Sequence, residues 1–201
     1  MENKKGLDDI INAAFKELET LSIETILSDL KDCSEGGLRD VLDTKNSQYY
    51  QWLAALMRTY KPRQIVELGG AMGVSALCML SQLPVDAKLY SITLEEESKE
   101  FSFIKTEYPQ LTKIIGDDSD LSLWPKDLDW SKTDLLFIDG EHTSEAVRRE
   151  LKDYLPKVGK DTLVLLDDIK MPEIWPVWLE IENDKIDISV LHHSGFGCLV
   201  T

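Results

Sequence analysis

The chain has 201 residues, of which 43% are hydrophobic and 29% charged. That suits one domain, or one domain with a helical extension, and excludes a disordered or low-complexity chain. The formal net charge of −15 repels polyanions, so nucleic acid and an anionic membrane surface are disfavoured as partners.

The basic residues form only short pairs such as Arg148-Arg149. A small neutral or cationic substrate suits this field, although an acidic surface also serves solubility alone. The three cysteines, Cys33, Cys78 and Cys198, are widely spaced and contain no CxxC, which argues against a disulfide framework or a zinc site. The first residues carry no apolar signal-like run, and no apolar stretch approaches membrane-spanning length. A cytoplasmic location is the default expectation.

From the N-terminus, Leu7, Ile11, Ala14, Leu18 and Leu21 fall on one face of an amphipathic helix. A short second helix is expected over Ile23–Leu30, a breaker at Cys33-Ser34-Glu35-Gly36-Gly37, and a third helix over Ser47–Tyr60, ended by Lys61-Pro62. Residues 1–60 therefore read as an N-terminal helical extension, placed either over an active site or at a homodimer contact. Residues 61–201 read as the principal domain.

There the pattern changes. Gln64–Leu68, Ala87–Thr93, Leu111–Ile115, Thr133–Ile138 and Thr162–Leu166 are short, nearly continuous apolar strands. Between them lie helical stretches at Ser75–Leu83, at Glu96–Tyr108 and on the face formed by Val147, Leu151, Tyr154, Leu155 and Val158. Alternating strands and helices predict a doubly wound, Rossmann-like α/β fold with a mostly parallel sheet buried on both faces. Asp187–Leu191 and Gly197–Val200 are too close for a crossover helix, so they should close a seven-stranded sheet as a C-terminal antiparallel hairpin.

Ligands of such sheets bind beyond the carboxyl ends of the strands. The first strand exits through Glu67-Leu68-Gly69-Gly70-Ala71-Met72-Gly73. Gly69 allows a sharp turn, and Gly73 allows close packing where the next helix starts. Ser75 and the free N–H groups of that helix suit a carboxylate, and Glu67 suits an ammonium group. A dinucleotide GxGxxG fingerprint fails, because Ala71 and Val74 stand where its second and third glycines belong.

Ile65 to Leu77 resembles the first motif of class I S-adenosylmethionine (SAM)-dependent methyltransferases. Its Gly73-Val74-Ser75-Ala76-Leu77 ending is similar to small-molecule O-methyltransferases of the catechol and caffeoyl-CoA types. Leu136 to Val147, with Asp139-Gly140-Glu141-His142, resembles the cephalosporin-hydroxylase-like and macrolide-sugar O-methyltransferase branch. The resemblance runs from about Pro62 to the C-terminus. It implies SAM as cofactor, held at Glu67, Gly69, Gly70, Ala71, Gly73 and Ser75, with Asp117 and Asp118 near the adenine and Asp139 at the end of the fourth strand.

The chain departs from the pattern where an acid usually takes the ribose hydroxyls: Thr93 stands there, with Glu95 two residues on. Thr93 makes a weaker contact, or Glu95 substitutes, or activity has been lost. The resemblance also implies a divalent cation, Mg²⁺ or another, at Asp139, Asp167 and Asp168. Oxygen ligands suit such hard ions, and clustered carboxylates need a cation or a shared proton. His142, three residues after Asp139, is then the general base. The expected activity is O-methylation of a small-molecule hydroxyl. The alternatives are a catalytically inactive SAM-fold binding or regulatory protein, or an enzyme of related fold that does not methylate.

Overall fold

A computed structural model of the protein describes residues 6–27, 42, 48–94, 104 and 106–201. Helix α1 (Leu7–Leu18) carries Asp8 and Asp9 in its first turn and Lys16 in its last, which complements the helix dipole. It buries Leu7, Ile10, Ile11 and Ala14. The short α2 (Ile23–Leu27) follows, and α3 (Gln48–Tyr60) buries the run Trp52–Met57. Lys61 then takes a left-handed φ of 55°, and Pro62 prevents the helix from continuing. The continuation of α2 to Leu30, the Cys33–Gly37 breaker, most of the Glu96–Tyr108 helix and Glu95 lie outside the described residues.

Seven strands form one sheet: β1 (Gln64–Leu68), β2 (Lys88–Thr93), β3 (Leu111–Ile115), β4 (Leu135–Ile138), β5 (Leu163–Asp167), β6 (Lys185–Asp187) and β7 (Phe196–Val200), in the order β3-β2-β1-β4-β5-β7-β6. The first five are parallel, and β7 runs antiparallel to both β5 and β6. This is the doubly wound sheet with a terminal antiparallel hairpin that the sequence predicts. Among the described residues, helices α4 (Val74–Leu80), α5 (Ser144–Tyr154) and α6 (Trp175–Glu180) flank the sheet.

The hairpin differs in detail. The strand expected over Asp187–Leu191 ends at Asp187, and Ser189–Leu191 forms a 3₁₀ turn instead. The Asp187 carboxylate accepts the Ser189 N–H at 2.9 Å and the Ser189 hydroxyl. Such local side-chain bonds compete with the strand ladder.

Side-chain alternation along each strand divides the core into two layers. Ile65, Leu89, Leu135, Phe137, Leu163 and Leu165 pack with α1, α3 and α4. Val66, Leu68, Ile92, Leu136, Ile138, Val164 and Leu166 pack with Trp124, Val147, Tyr154 and Trp178. The N-terminal helices therefore share one core with the sheet. Trp52 of α3 is fully buried and meets Phe196 of β7 edge-on, with ring centroids 5.9 Å apart.

Candidate active site

The strand order reverses between β1 and β4, and the glycine loop lies at that point. Gly69 and Gly73 adopt φ of 90° and 85°, and the N–H groups of Gly69 and Gly70 both donate to the Ile92 carbonyl, at 2.9 and 3.0 Å. A Cβ on Gly69 would sit 1.8 Å from the Asp139 carbonyl oxygen, so the loop closes against the end of β4 only because no side chain is there. Ala71, at φ 36°, is held in the same left-handed region at a cost in strain.

Beside this loop is a cleft of about 360 Å³. Of the sequence-predicted cofactor residues, Gly69, Ala71, Thr93, Asp117, Asp118 and Asp139 line it, and so does His142. Ile92, Leu94, Gly116, Gly140, Glu141 and Arg149 complete its wall. Glu67, Gly70, Gly73 and Ser75 do not line it. A larger hollow of about 660 Å³ lies at the opposite end of the sheet, between α1 and the starts of β4 and β5. It contains none of the predicted site residues and lies away from the carboxyl ends where such sheets bind ligands.

Glu67 and Ser75 have turned inward to each other. Glu67 is fully buried, and the Ser75 hydroxyl donates to its Oε1 at 2.5 Å. Its Oε2 lies beside Ser91, its register partner on β2, without a hydrogen bond of regular geometry. Burial pushes the Glu67 carboxyl up, against the pull of Ser75 and Ser91. The two residues brace the loop from behind, where the sequence reading has them gripping the ligand's ammonium and carboxylate.

At the far end of the cleft, Arg149 of α5 pairs with Asp118 at 3.2 Å, and the Tyr154 hydroxyl donates to the Asp118 carbonyl at 2.5 Å. The Trp124 indole N–H donates in turn to the Tyr154 hydroxyl at 3.0 Å. Glu150, 1% exposed, points at the same place. Burial and then the neighbouring Asp118 push its carboxyl up to about 8.

The carboxylates of the strand ends gather for a reason that lies in the register. Ile138 pairs with Leu166, so Asp139 and Asp167 are the next pair along, and Glu67, Asp139 and Asp167 share one face by alternation. Burial, then Asp167, Glu67 and Asp168, raise the Asp139 carboxyl well above the usual range. Regular alternation would send Asp168 to the opposite face, but its φ of 59° is left-handed. It pairs with Nδ1 of His142 at 2.5 Å. Burial opposes ionisation of Asp168, yet its bonds to His142 and Ser194 and the nearby imidazoles hold its carboxyl below the ordinary value. The Thr143 hydroxyl accepts the Ala146 N–H at 3.2 Å and caps α5, which fixes the loop that carries His142.

His192 comes from the turn before β7. Its Nδ1 lies 3.2 Å from Asp167 and 3.8 Å from Asp168. Among the described residues, Asp167, Asp168 and His192 are the set whose ligand atoms all come within 4.8 Å of one another. Asp139, expected as the third ligand, lines the cofactor cleft and shares a side-chain hydrogen bond with Asp167. Tyr49 of α3 stacks on the His192 ring, with centroids 4.5 Å apart, so the N-terminal extension reaches the site.

The methyltransferase-domain family matches residues 66–169, which include the loop, both cleft walls and the Asp167-Asp168 pair. The chain belongs to this family. Its fold is that of the class I SAM-dependent methyltransferases. Cofactor-bound Rv0187 from MTB is similar over 98% of this chain and 99% of its own, with a TM-score of 0.66 and 13% identity. The O-methyltransferase TomG from Streptomyces achromogenes, in complex with SAM, matches 100% of this chain and 92% of its own, with a TM-score of 0.57 and 17% identity. At such identities the likeness concerns fold. Protein y4gI of Sinorhizobium fredii is 22% identical over 173 residues, which is 77% of this chain and 18% of that protein. This methyltransferase domain thus spans less than a fifth of the curated relative it matches.

Sequence reasoning missed Arg149, Glu150 and Tyr49, and it read His192, near the terminal hairpin, only as structural or substrate-proximal. His192 carried a usable signal: it lies just before the strand that pairs with β5, so it had to return to the Asp167 end of the sheet. Arg149 and Glu150 carried none, because their partner Asp118 lies on a loop whose path periodicity does not give.

Proposed function

We propose that this chain binds SAM in the cleft beside Gly69–Gly73 and methylates a hydroxyl group of a small molecule. The observation that carries the reading is the meeting of two features: the glycine-lined cleft at the switch point, and a histidine–carboxylate pair, His142–Asp168, at its edge. The cleft fits the cofactor chemically. Gly69 and Gly140 leave the backbone bare, and Asp117 and Asp118 offer acceptors for an amine-bearing base. Bound SAM would supply an electrophilic methyl group on a sulfonium.

The chain's own residues do the rest. Nδ1 of His142 is engaged by Asp168, which leaves Nε2 to take the proton of the acceptor hydroxyl. Asp168 steadies the imidazolium so formed. With SAM bound, the deprotonated acceptor oxygen would take the methyl group as its carbon–sulfur bond breaks, and the leaving group would be S-adenosylhomocysteine. Orientation of the two reactants supplies much of the acceleration. The carboxylates at the ends of β4 and β5, Asp139, Asp167 and Asp168, suit a divalent cation by donor chemistry, and such an ion would acidify the acceptor hydroxyl.

The charge of −15 supports a neutral or cationic acceptor. Cys78 and Cys198 are buried free thiols, in keeping with the reducing cytoplasm.

A second reading, a SAM-fold binding protein without turnover, is favoured by one observation: Thr93, not an acid, lines the cleft at the end of β2. Incubation with SAM and a panel of hydroxylated acceptors separates the readings. A product heavier by one methylene, with release of S-adenosylhomocysteine, supports the first. SAM binding with no product from any acceptor class supports the second.

A further inference from the structure

The donor set at the end of β5 is not all oxygen. Asp167 and Asp168 are consecutive, and the left-handed φ of 59° at Asp168 lets both carboxylates approach one imidazole. His192 Nδ1 lies 3.2 Å from Asp167 Oδ1 and 3.8 Å from Asp168 Oδ1. Neighbouring ligands around an ion with bonds of about 2.1 Å stand roughly 3 Å apart; His192 Nδ1 and Asp167 Oδ1 already have that spacing, and the ligand atoms of all three residues lie within 4.8 Å of one another. The imidazole is held in place by Tyr49 against its ring and by His193 edge-on at 4.9 Å, while Ser194 Oγ, 3.1 Å from Nδ1, is the partner that a bound ion would displace. His192 is 12% exposed at its side chain, which leaves one side for water or an acceptor oxygen. Asp139 lines the cofactor cleft and hydrogen-bonds Asp167, but it is not one of the three residues whose ligand atoms all come within 4.8 Å of one another.

We infer that the cation site of this domain is Asp167, Asp168 and His192, and that it takes a first-row transition ion such as Mn²⁺, Fe²⁺, Co²⁺ or Zn²⁺ in preference to Mg²⁺. This rests on the divalent-cation reading above and specifies its third ligand. An imidazole nitrogen strengthens binding of transition ions in the order Mn²⁺ < Fe²⁺ < Co²⁺, whereas Mg²⁺ favours oxygen donors and keeps its water. Tyr49, whose ring centroid lies 4.5 Å from that of His192, acts as a positioning residue for the imidazole.

The test is titration of the full chain, free of SAM, with Mn²⁺, Co²⁺ and Mg²⁺ separately. It is followed by pulsed paramagnetic resonance of the Mn²⁺ complex to detect nitrogen coupling. The expected result is one Mn²⁺ or Co²⁺ per chain, bound at least tenfold more tightly than Mg²⁺, with a nitrogen signal. That signal persists in His142→Gln and disappears in His192→Gln, whose affinity falls tenfold or more. Asp139→Asn keeps the site.

A Mn²⁺ complex of the unaltered chain without nitrogen coupling overturns the inference, and this needs no variant to fold. So does a site lost in Asp139→Asn and unchanged in His192→Gln, although the carboxylate-bound cation of the broader reading then survives. If none of the three ions binds, both fail, and a parallel SAM titration still reports separately on the methyltransferase reading.

Discussion

Glu150 gives the sharpest prediction about stability. It is 1% exposed, both its oxygens lack hydrogen bonds of regular geometry, and its carboxyl is raised from 4.5 to about 8. The unfolded chain therefore loses this proton first. The folded state keeps its full advantage below about pH 4.5, and that advantage drains away as pH climbs towards 8. At about 1.4 kcal/mol per unit, the ceiling is about 5 kcal/mol. Part of this is shared with Asp118, whose carboxyl is also raised by burial against the pull of Arg149. Glu150→Gln keeps the shape, never ionises and can donate to Asp118. The assay is urea unfolding of both proteins, followed by tryptophan fluorescence, at half-unit steps from pH 5 to pH 8.5. Titrations common to both chains cancel in the difference. The variant should gain on the parent steadily with pH and lead by about 2–5 kcal/mol at the alkaline end. Two parallel curves would refute the buried neutral carboxyl.

Three further outcomes follow from the same geometry. Gly69→Ala should abolish SAM binding and lower the melting temperature, since its Cβ would stand 1.8 Å from the Asp139 carbonyl oxygen at a φ of 90°; a variant that binds SAM normally would show that the loop is not built as described. Ser75→Ala leaves the buried Glu67 without its 2.5 Å partner and should destabilise the domain by about 1–3 kcal/mol in denaturant unfolding, with a neutral change counting against the brace. His142→Asn should cut kcat by about 10²–10⁴-fold while the calorimetric affinity for SAM stays within a few-fold; an unchanged kcat removes His142 as the base.

The sheet was legible because its strands are apolar on both faces and its helices are periodic. The order of the elements follows from that pattern, and so does the terminal hairpin apart from the position of its first strand. The glycine loop was legible for a different reason: only glycine satisfies the turn at Gly69. What periodicity does not supply is the path of the chain after a strand ends. Asp168 should point away from Asp167 by alternation, and its left-handed backbone reverses this. Glu67 and Ser75 have the chemistry of a ligand grip but fall on the buried face, where the Ser75 hydroxyl donates to one of the two Glu67 oxygens. The 3₁₀ turn at Ser189–Leu191 follows a local bond in which the Asp187 carboxylate accepts the Ser189 N–H, inside a run with good strand propensity. Tyr49 lies far from the site in sequence, and only the packing of α3 on the sheet brings it to His192.

The central claim is that the cleft beside Gly69–Gly73 holds SAM. Calorimetric titration of the full chain with SAM tests it most directly, repeated on Gly69→Ala. The expected result is saturable one-to-one binding by the parent chain and none by the variant. No heat and no competition by S-adenosylhomocysteine with the parent chain would contradict it and leave the fold without its proposed cofactor.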